Sequence, residues 1–261
     1  MNSKQDFLTV AKKAALEAGK IIQKYSANFG EKSFKGGDIS NFATKADLES
    51  EKTTVKIITS NFPKHNIIAE ENASVNKGSE YTWVIDPLDG TFSFAHGIPY
   101  FSVSIGLILN NKPILGVINH VSAKNLYYAQ NGKGAFLNGK LISVSKINIL
   151  AESACGLDFG HKKTRADNLK NYINPLINKI GYPYCVGSSV STQALVAQGI
   201  LDGYINAAWI WDFAAAAVIL TEAGGKVTDF EGNEPDWSKE RLNIVASNGL
   251  IHDQILEALK T

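Results

Sequence analysis

Cysteine is scarce in this chain: 261 residues contain only two, Cys155 and Cys185, far apart in sequence. Such spacing supports neither a disulfide framework nor a thiolate metal site, and both are expected as plain core residues, where free cysteine usually sits. An excess of one charge is missing too. The formal net charge is +1 and no lysine or arginine run forms a basic tail, so no nucleic-acid partner is expected. No apolar stretch approaches the roughly 20 residues that span a bilayer, and Met1-Asn-Ser-Lys-Gln-Asp6 lacks the apolar region of a secretory signal. The expectation is a cytoplasmic protein with no membrane partner. Linkers, repeats and low-complexity segments are also absent, and 44% hydrophobic content over this length can bury one large domain or two packed halves.

What is present is acid placed at structural boundaries. Trp83-Val-Ile-Asp86 reads as the end of a buried strand, and Pro87-Leu-Asp89-Gly as the turn that stops it. Asp86 and Asp89 then leave the sheet edge on irregular backbone. Gly90-Thr91 opens a short helix, with Thr91 as its N-cap and free N–H groups facing outward. Farther on, Trp211-Asp212 precedes eleven residues and Gly224-Gly225; the intervening run is rich in helix formers and the glycine pair is a stop. Asp212 stands where an N-cap carboxylate would. Glu70-Glu71 follows the apolar stretch Asn66–Ala69, and Asp47 follows Thr44-Lys45-Ala46 at the start of a further helical pattern. Cation ligands beside an anion-binding helix start suit a metal-bound phosphate.

The rest of the pattern is layered. Residues 4–27 carry apolar positions at helical spacing, residues 28–43 show no periodicity, with Gly36-Gly37 a loop, and a helix is expected from about Lys45 to Asn61. Strand patterns crowd residues 81–145, and their short connections favour antiparallel pairing. Beyond them strand and helix alternate: strands at 154–159, 184–186 and 203–207, helices near 164–180 and 190–199, then the Asp212 helix.

Two long motifs, Asp86-Pro-Leu-Asp-Gly-Thr91 and Trp211-Asp212 with its Gly224-Gly225, resemble both signatures of the inositol monophosphatase family, the magnesium-dependent, lithium-sensitive phosphatases. Phe94-Ala-His96-Gly-Ile-Pro99, Phe101–Gly106 and Asn131-Gly-Lys-Gly-Ala-Phe136 are family-like as well, so the resemblance covers essentially the whole chain. It implies an α+β fold, a layered αβαβα sandwich of the inositol monophosphatase/fructose-1,6-bisphosphatase type with a largely antiparallel first sheet. It further implies one phosphatase unit over 1–261, with a metal-binding half at about 1–150 and a second half at about 151–261, working as a homodimer.

The resemblance also assigns roles. Glu70, Asp86 and the Leu88 carbonyl would hold one Mg2+, and Asp86, Asp89 and Asp212 a second; Glu70 would serve a third, weaker one, with Mn2+ an alternative ion. Asp47 and Thr91 would orient and deprotonate the attacking water, with Glu70 assisting, and the Gly90 and Thr91 N–H groups would hold a phosphate oxygen. Asp89 and Asp212 would also border the substrate. Independently, five carboxylates (Asp47, Glu70, Asp86, Asp89 and Asp212) would repel a phosphate dianion, whereas two divalent ions bring that formal charge to −1 and three to +1. Hard oxygen donors without clustered histidine or cysteine favour Mg2+ or Mn2+ over Zn2+.

Departures fall on the alcohol side. Ser188, Ser191 and Gln193 replace an arginine, a glycine and a small residue of the usual family pattern, and Asn206 falls where a glutamate often binds an inositol hydroxyl. Ser191, Gln193 and Asn206 are therefore expected to meet the alcohol half. His96 is expected to be structural, Glu71 solvated or supporting, and Trp209 and Trp211 core or pocket wall. The reading is a Mg2+-dependent phosphomonoesterase for a small polyol or sugar phosphate, inositol 1-phosphate foremost. The alternatives are fructose 1,6-bisphosphate, histidinol phosphate, adenosine 3′,5′-bisphosphate or NADP as substrate, or a metal-binding regulatory pseudoenzyme.

Overall fold

The structure is a computed structural model that describes residues 6–26, 32–35 and 37–260. Of the opening helix expected over 4–27, Phe7–Tyr25 is helical, with the Asp6 carboxylate capping it at Thr9 N; residues 4, 5 and 27 lie outside the described residues, as does Gly36 of the expected glycine loop. The alanine-rich face of this helix (Ala11, Ala14, Ala15, Ala18) is fully buried, which lets the second helix, Lys45–Asn61, pack closely beside it.

Both helices cover one face of an eight-stranded sheet. Its order is Lys140–Leu141, Ala135–Leu137, Asn125–Gln130, Lys112–His120, Ser102–Leu109, Tyr81–Asp89, Asn66–Ala69 and Ser74–Val75. Every neighbouring pair is antiparallel except Asn66–Ala69 with Tyr81–Asp89. A second, five-stranded sheet runs Tyr182–Tyr184, Ala154–Leu157, Gly203–Trp209, Arg241–Ser247, Lys226–Thr228, with its first two junctions parallel and its last two antiparallel. Helices Ser189–Ala197 and Ile210–Glu222 fill the space between the sheets. The far face of the second sheet is closed by His252–Leu259 and the helical stretch that begins at Arg165. The result is the expected αβαβα layering.

Glycine sets the spacing of the central layers. Gly106 and Gly116 are register partners on adjacent strands, and a Cβ on Gly116 would run into the Ala215 carbonyl oxygen. With alanines 214–217 opposite them, the Ile210–Glu222 helix lies hard on the sheet, which fixes the height of Asp212 at its start.

Several expectations shift. Residues 33–43, expected to be aperiodic loop, contain an antiparallel pair, Ser33–Lys35 with Asp38–Ala43. The strand expected at 184–186 is Tyr182–Tyr184, and a π-helical turn, Leu169–Ile173, interrupts the helix near 164–180. Strand Arg241–Ser247 and helix His252–Leu259 were not anticipated.

Candidate active site

The strand expected to end at Asp86 continues to Asp89 through a bulge. Asp86 pairs with Ser104 and Asp89 with Ser102, so three steps on one strand oppose two on its neighbour. In a regular strand residues three apart face opposite sides; the extra residue brings both aspartates to the same side. Leu88 N donates to Asp86 Oδ1 at 3.0 Å, and the Pro87 carbonyl accepts the Ser50 hydroxyl at 2.7 Å. Asp212 enters from the middle layer. It is not the N-cap: the helix starts at Ile210, and Asp212 Oδ2 accepts Trp209 N at 2.8 Å from the third helical position. One carboxylate oxygen from each of Asp86, Asp89 and Asp212 lies within 4.8 Å of the others.

Asp89 is fixed by a helix a hundred residues away. Its Oδ1 accepts Ser189 N at 3.0 Å and its Oδ2 accepts Val190 N at 3.1 Å and the Ser188 hydroxyl. Burial pushes Asp89 up to about 7, against the Ser188 and Val190 hydrogen bonds. Asp86 and Asp212 rise well above the carboxylate range, through burial first and then through nearby charges: Glu70, Asp89 and Asp212 on Asp86, and Asp89, Glu70 and Asp158 on Asp212. Burial and mutual repulsion that disfavour the charged carboxylates are what a divalent cation relieves, so the donor set, all hard oxygens, fits such an ion.

Thr91 is likewise not an N-cap. Gly90 takes that position at φ +82°, where a Cβ would lie 2.6 Å from the Tyr100 carbonyl oxygen. The Thr91 hydroxyl instead lies 2.9 Å from both Asp47 Oδ1 and the Leu88 carbonyl oxygen. Asp47 Oδ2 accepts Thr44 N at 2.7 Å and the Thr44 hydroxyl at 2.5 Å, a capping box at the start of Lys45–Asn61. Burial raises Asp47 to about 6 despite those bonds.

Glu70 and Glu71 follow the parallel strand Asn66–Ala69, and Lys35 Nζ bridges them at 2.8 and 2.7 Å. Glu71 is not solvated: its side chain is 4% exposed, and burial, then repulsion from Glu70, raises it to about 8 while Lys35 opposes the shift. Burial alone would lower Lys35; the two glutamate charges more than offset it and hold the ammonium above its usual range.

The acids open onto a cavity of about 600 Å3, lined by Glu70, Asp86, Leu88, Asp89, Gly90, Thr91 and Asp212 on one side. On the other side stand Asp158, His161, Arg165, Cys185, Asn206, Trp209, Trp211 and Arg241. Trp209 and Trp211 stack at 5.0 Å, with the Arg241 guanidinium over Trp209.

Two expected alcohol-side residues do not reach this space. Ser191 is fully buried, with its hydroxyl 2.8 Å from that of Ser102 and 2.6 Å from that of Ser188. Gln193 turns its amide onto the carbonyls of Ser189 and Asp212 at 3.1 and 2.8 Å. The two lie about 200° apart around a helix that is buried nearly all round, so both pack inward, a direction their motif position did not reveal. Asn206 borders the cavity, but its amide is engaged: Nδ2 donates to Ser189 Oγ and the Tyr204 hydroxyl, and Oδ1 accepts Ala207 N and lies 3.0 Å from the Tyr172 hydroxyl. Cys155 is buried as expected, whereas Cys185 is exposed on the cavity wall. His96 does not line the cavity itself; it stacks on Phe92, which does, and contacts the Phe92 carbonyl.

One contributor was missed. Glu51, 4% exposed, accepts three consecutive backbone N–H groups: Glu71 at 2.8, Asn72 at 2.9 and Ala73 at 3.1 Å. The signal was available: Asp47, Ser50, Glu51 and Thr54 form a polar stripe at helical spacing, and all four are buried. That stripe reaches Thr91, the Pro87 carbonyl and the turn after Glu70.

The model of the inositol monophosphatase family matches residues 3–261. The chain belongs to that family. It is 35% identical to inositol monophosphatase 2 of Solanum lycopersicum, over 98% of each chain. It is 32% identical to a fructose-1,6-bisphosphatase/inositol-1-monophosphatase of Aquifex aeolicus, over 100% of this chain and 97% of that one. Its fold is similar to the crystal structure of the extragenic suppressor protein suhB from Bartonella henselae, with a TM-score of 0.89 and 31% identity, over 97% of this chain and 98% of that one. Membership in the inositol monophosphatase family makes the chain a phosphoric monoester hydrolase, and its three clustered aspartates suit the metal dependence general to that family. No described helix is long and apolar enough to cross a membrane.

Proposed function

We propose that this chain is a Mg2+-dependent phosphomonoesterase for small polyol or sugar phosphates, with inositol 1-phosphate the leading substrate. The observation that carries this is the buried Asp86/Asp89/Asp212 cluster on the same cavity as Glu70 and Thr91, whose hydroxyl meets the buried Asp47 behind it. Asp86, Asp89 and Asp212, with Glu70 and the Leu88 carbonyl beside them, would hold the metal. Bound Mg2+ would neutralise the phosphate and acidify the attacking water.

The chain's own groups supply the rest. The Thr91 hydroxyl donates a hydrogen bond to Asp47 and accepts one from the incoming water; as the water attacks, its proton passes to the Thr91 oxygen while the Thr91 proton passes to Asp47. Asp47 is the final proton acceptor, and its raised affinity brings it nearer neutrality. A general-base contribution of this kind is worth about 10²–10⁴ in rate. The Gly90–Thr91 backbone, on the cavity wall, takes a phosphate oxygen.

A second substrate, fructose 1,6-bisphosphate, is favoured by Arg165 and Arg241, two exposed cations at the same cavity, and by the activity named for the Aquifex relative. Phosphate release over about a dozen phosphomonoesters, from chelated protein and after Mg2+ is restored, tests both. Activity that persists in excess chelator refutes the metal-dependent reading.

A further inference from the structure

With Ser191 and Gln193 turned inward and Asn206 committed to Tyr172, Tyr204 and Ser189, the substrate's alcohol half has lost its expected partners. Asp158 faces that space instead. Strand Ala154–Leu157 ends one residue before it, between Tyr182–Tyr184 and Gly203–Trp209, so the side chain emerges at the end of the sheet and lines the cavity. Two contacts fix its position: Oδ1 accepts Gly160 N at 2.7 Å, and its main-chain carbonyl accepts the hydroxyl of Tyr172, which the π-helical turn carries.

The second carboxylate oxygen accepts no hydrogen bond among the described residues. His161 and Arg165 are near enough to favour its charge, yet neither pairs with it. His161 Nδ1 lies 2.9 Å from the Ser40 carbonyl and Arg165 donates to the Gly160 carbonyl at 3.4 Å. The metal-type cluster comprises Asp86, Asp89 and Asp212 without it. A half-buried carboxylate with an open acceptor is costly unless something donates to it. Adjacent hydroxyls of a polyol are donors of the right kind, and a carboxylate has lone pairs for two of them.

We infer that Asp158 is the specificity-determining carboxylate for the alcohol half of the substrate, accepting hydrogen bonds from neighbouring hydroxyls of a polyol or sugar phosphate. This rests on the phosphomonoesterase reading above. The carboxylate thus comes from just past the end of the strand beside the one that bears Asn206.

The competing reading is that Asp158 only closes its own turn. That turn needs one acceptor, which Asn and Ser also provide, so Asp158→Asn and Asp158→Ser keep it while removing the carboxylate. Both variants and wild type are assayed in saturating Mg2+ on inositol 1-phosphate and on phenyl phosphate, which has no alcohol hydroxyls; thermal midpoints check folding. The expected result is at least a tenfold fall in the ratio of kcat/KM for inositol 1-phosphate over phenyl phosphate, carried mainly by KM for inositol 1-phosphate. An unchanged ratio in a folded variant overturns the inference, whether both activities hold or both fall together. Wild type that cleaves phenyl phosphate but not inositol 1-phosphate overturns it too. Wild type inactive on both substrates refutes the underlying reading, a different result seen without any variant.

Discussion

Glu51 offers a test of how the site is held, because it touches no reacting atom yet anchors the turn that follows Glu70. Glu51→Gln keeps size and shape. If the amide oxygen takes the place of Oε1, the bonds to Asn72 N and Ala73 N survive as neutral ones, but the NH2 group then faces Glu71 N, donor against donor. One hydrogen bond to a charged acceptor is lost, at about 1.5–3 kcal/mol, and two are weakened, for a total of about 2–4 kcal/mol. Part of that cost appears as local loosening of residues 70–73, so Glu70 no longer sits in one place. Misplacement of a ligating group by about an ångström costs on the order of a hundredfold in rate. Urea unfolding and a Mg2+ titration of activity read the two effects: lower stability, and half-saturation moved to higher Mg2+. A variant within about 0.5 kcal/mol of wild type, the range of an ordinary surface substitution, with unaltered Mg2+ dependence would refute the reasoning.

Thr91→Ala and Asp47→Asn should each lower kcat by about 10²–10⁴ with little change in KM, since both groups act on the water; steady-state kinetics at saturating Mg2+ decides, and a dominant KM effect would count against the relay. Gly90→Ala forces a Cβ to within 2.6 Å of the Tyr100 carbonyl oxygen at φ +82°, so both thermal midpoint and kcat should fall, and a fully active, equally stable variant would contradict the geometry. His252 is buried and neutral between Thr228 and Ser247, and burial lowers it from 6.5 to about 4. Its folded value lies below the unfolded one, so its contribution is complete above about pH 6.5 and lost as pH falls toward 4. The stability gap between wild type and His252→Gln should therefore shrink by about 2 kcal/mol from pH 7 to pH 5, and a constant gap in urea unfolding would disprove it. Millimolar Li+ should inhibit with uncompetitive or mixed kinetics, by occupying the Asp86/Asp89/Asp212 cluster; full rates in a large excess of Li+ over Mg2+ would end that idea.

The acidic cluster was legible because its spacing is local: Asp86 and Asp89 belong to one strand end, Asp212 to one helix start, and Asp47 to a capping box within four residues. Helix Lys45–Asn61 was readable to the residue for the same reason. What stayed hidden depends on distant partners. The 33–43 strands look aperiodic because Lys35 is spent on Glu70 and Glu71, and Ser40 on residues near 161. The engagement of the Asn206 amide was not legible, because Tyr172, 3.0 Å from its oxygen, arrives from a π-turn that no residue pattern announced. Ser191 and Gln193 lie on a helix that is apolar or buried nearly all round, so periodicity could not tell which side faced the cavity.

The Ser33–Ala43 hairpin crosses from one side of the cavity to the other. Lys35 clasps the two glutamates, and its register partner Asp38, with Ser40, takes His161, Lys162 and Lys163, in the loop that follows Asp158. If the proposed roles hold, ion binding at Glu70 and alcohol binding at Asp158 would both bear on residues that this strand pair contacts. The ion concentration for half-maximal rate would then differ from substrate to substrate, and a Mg2+ requirement measured with an aryl phosphate would not carry over to a sugar phosphate.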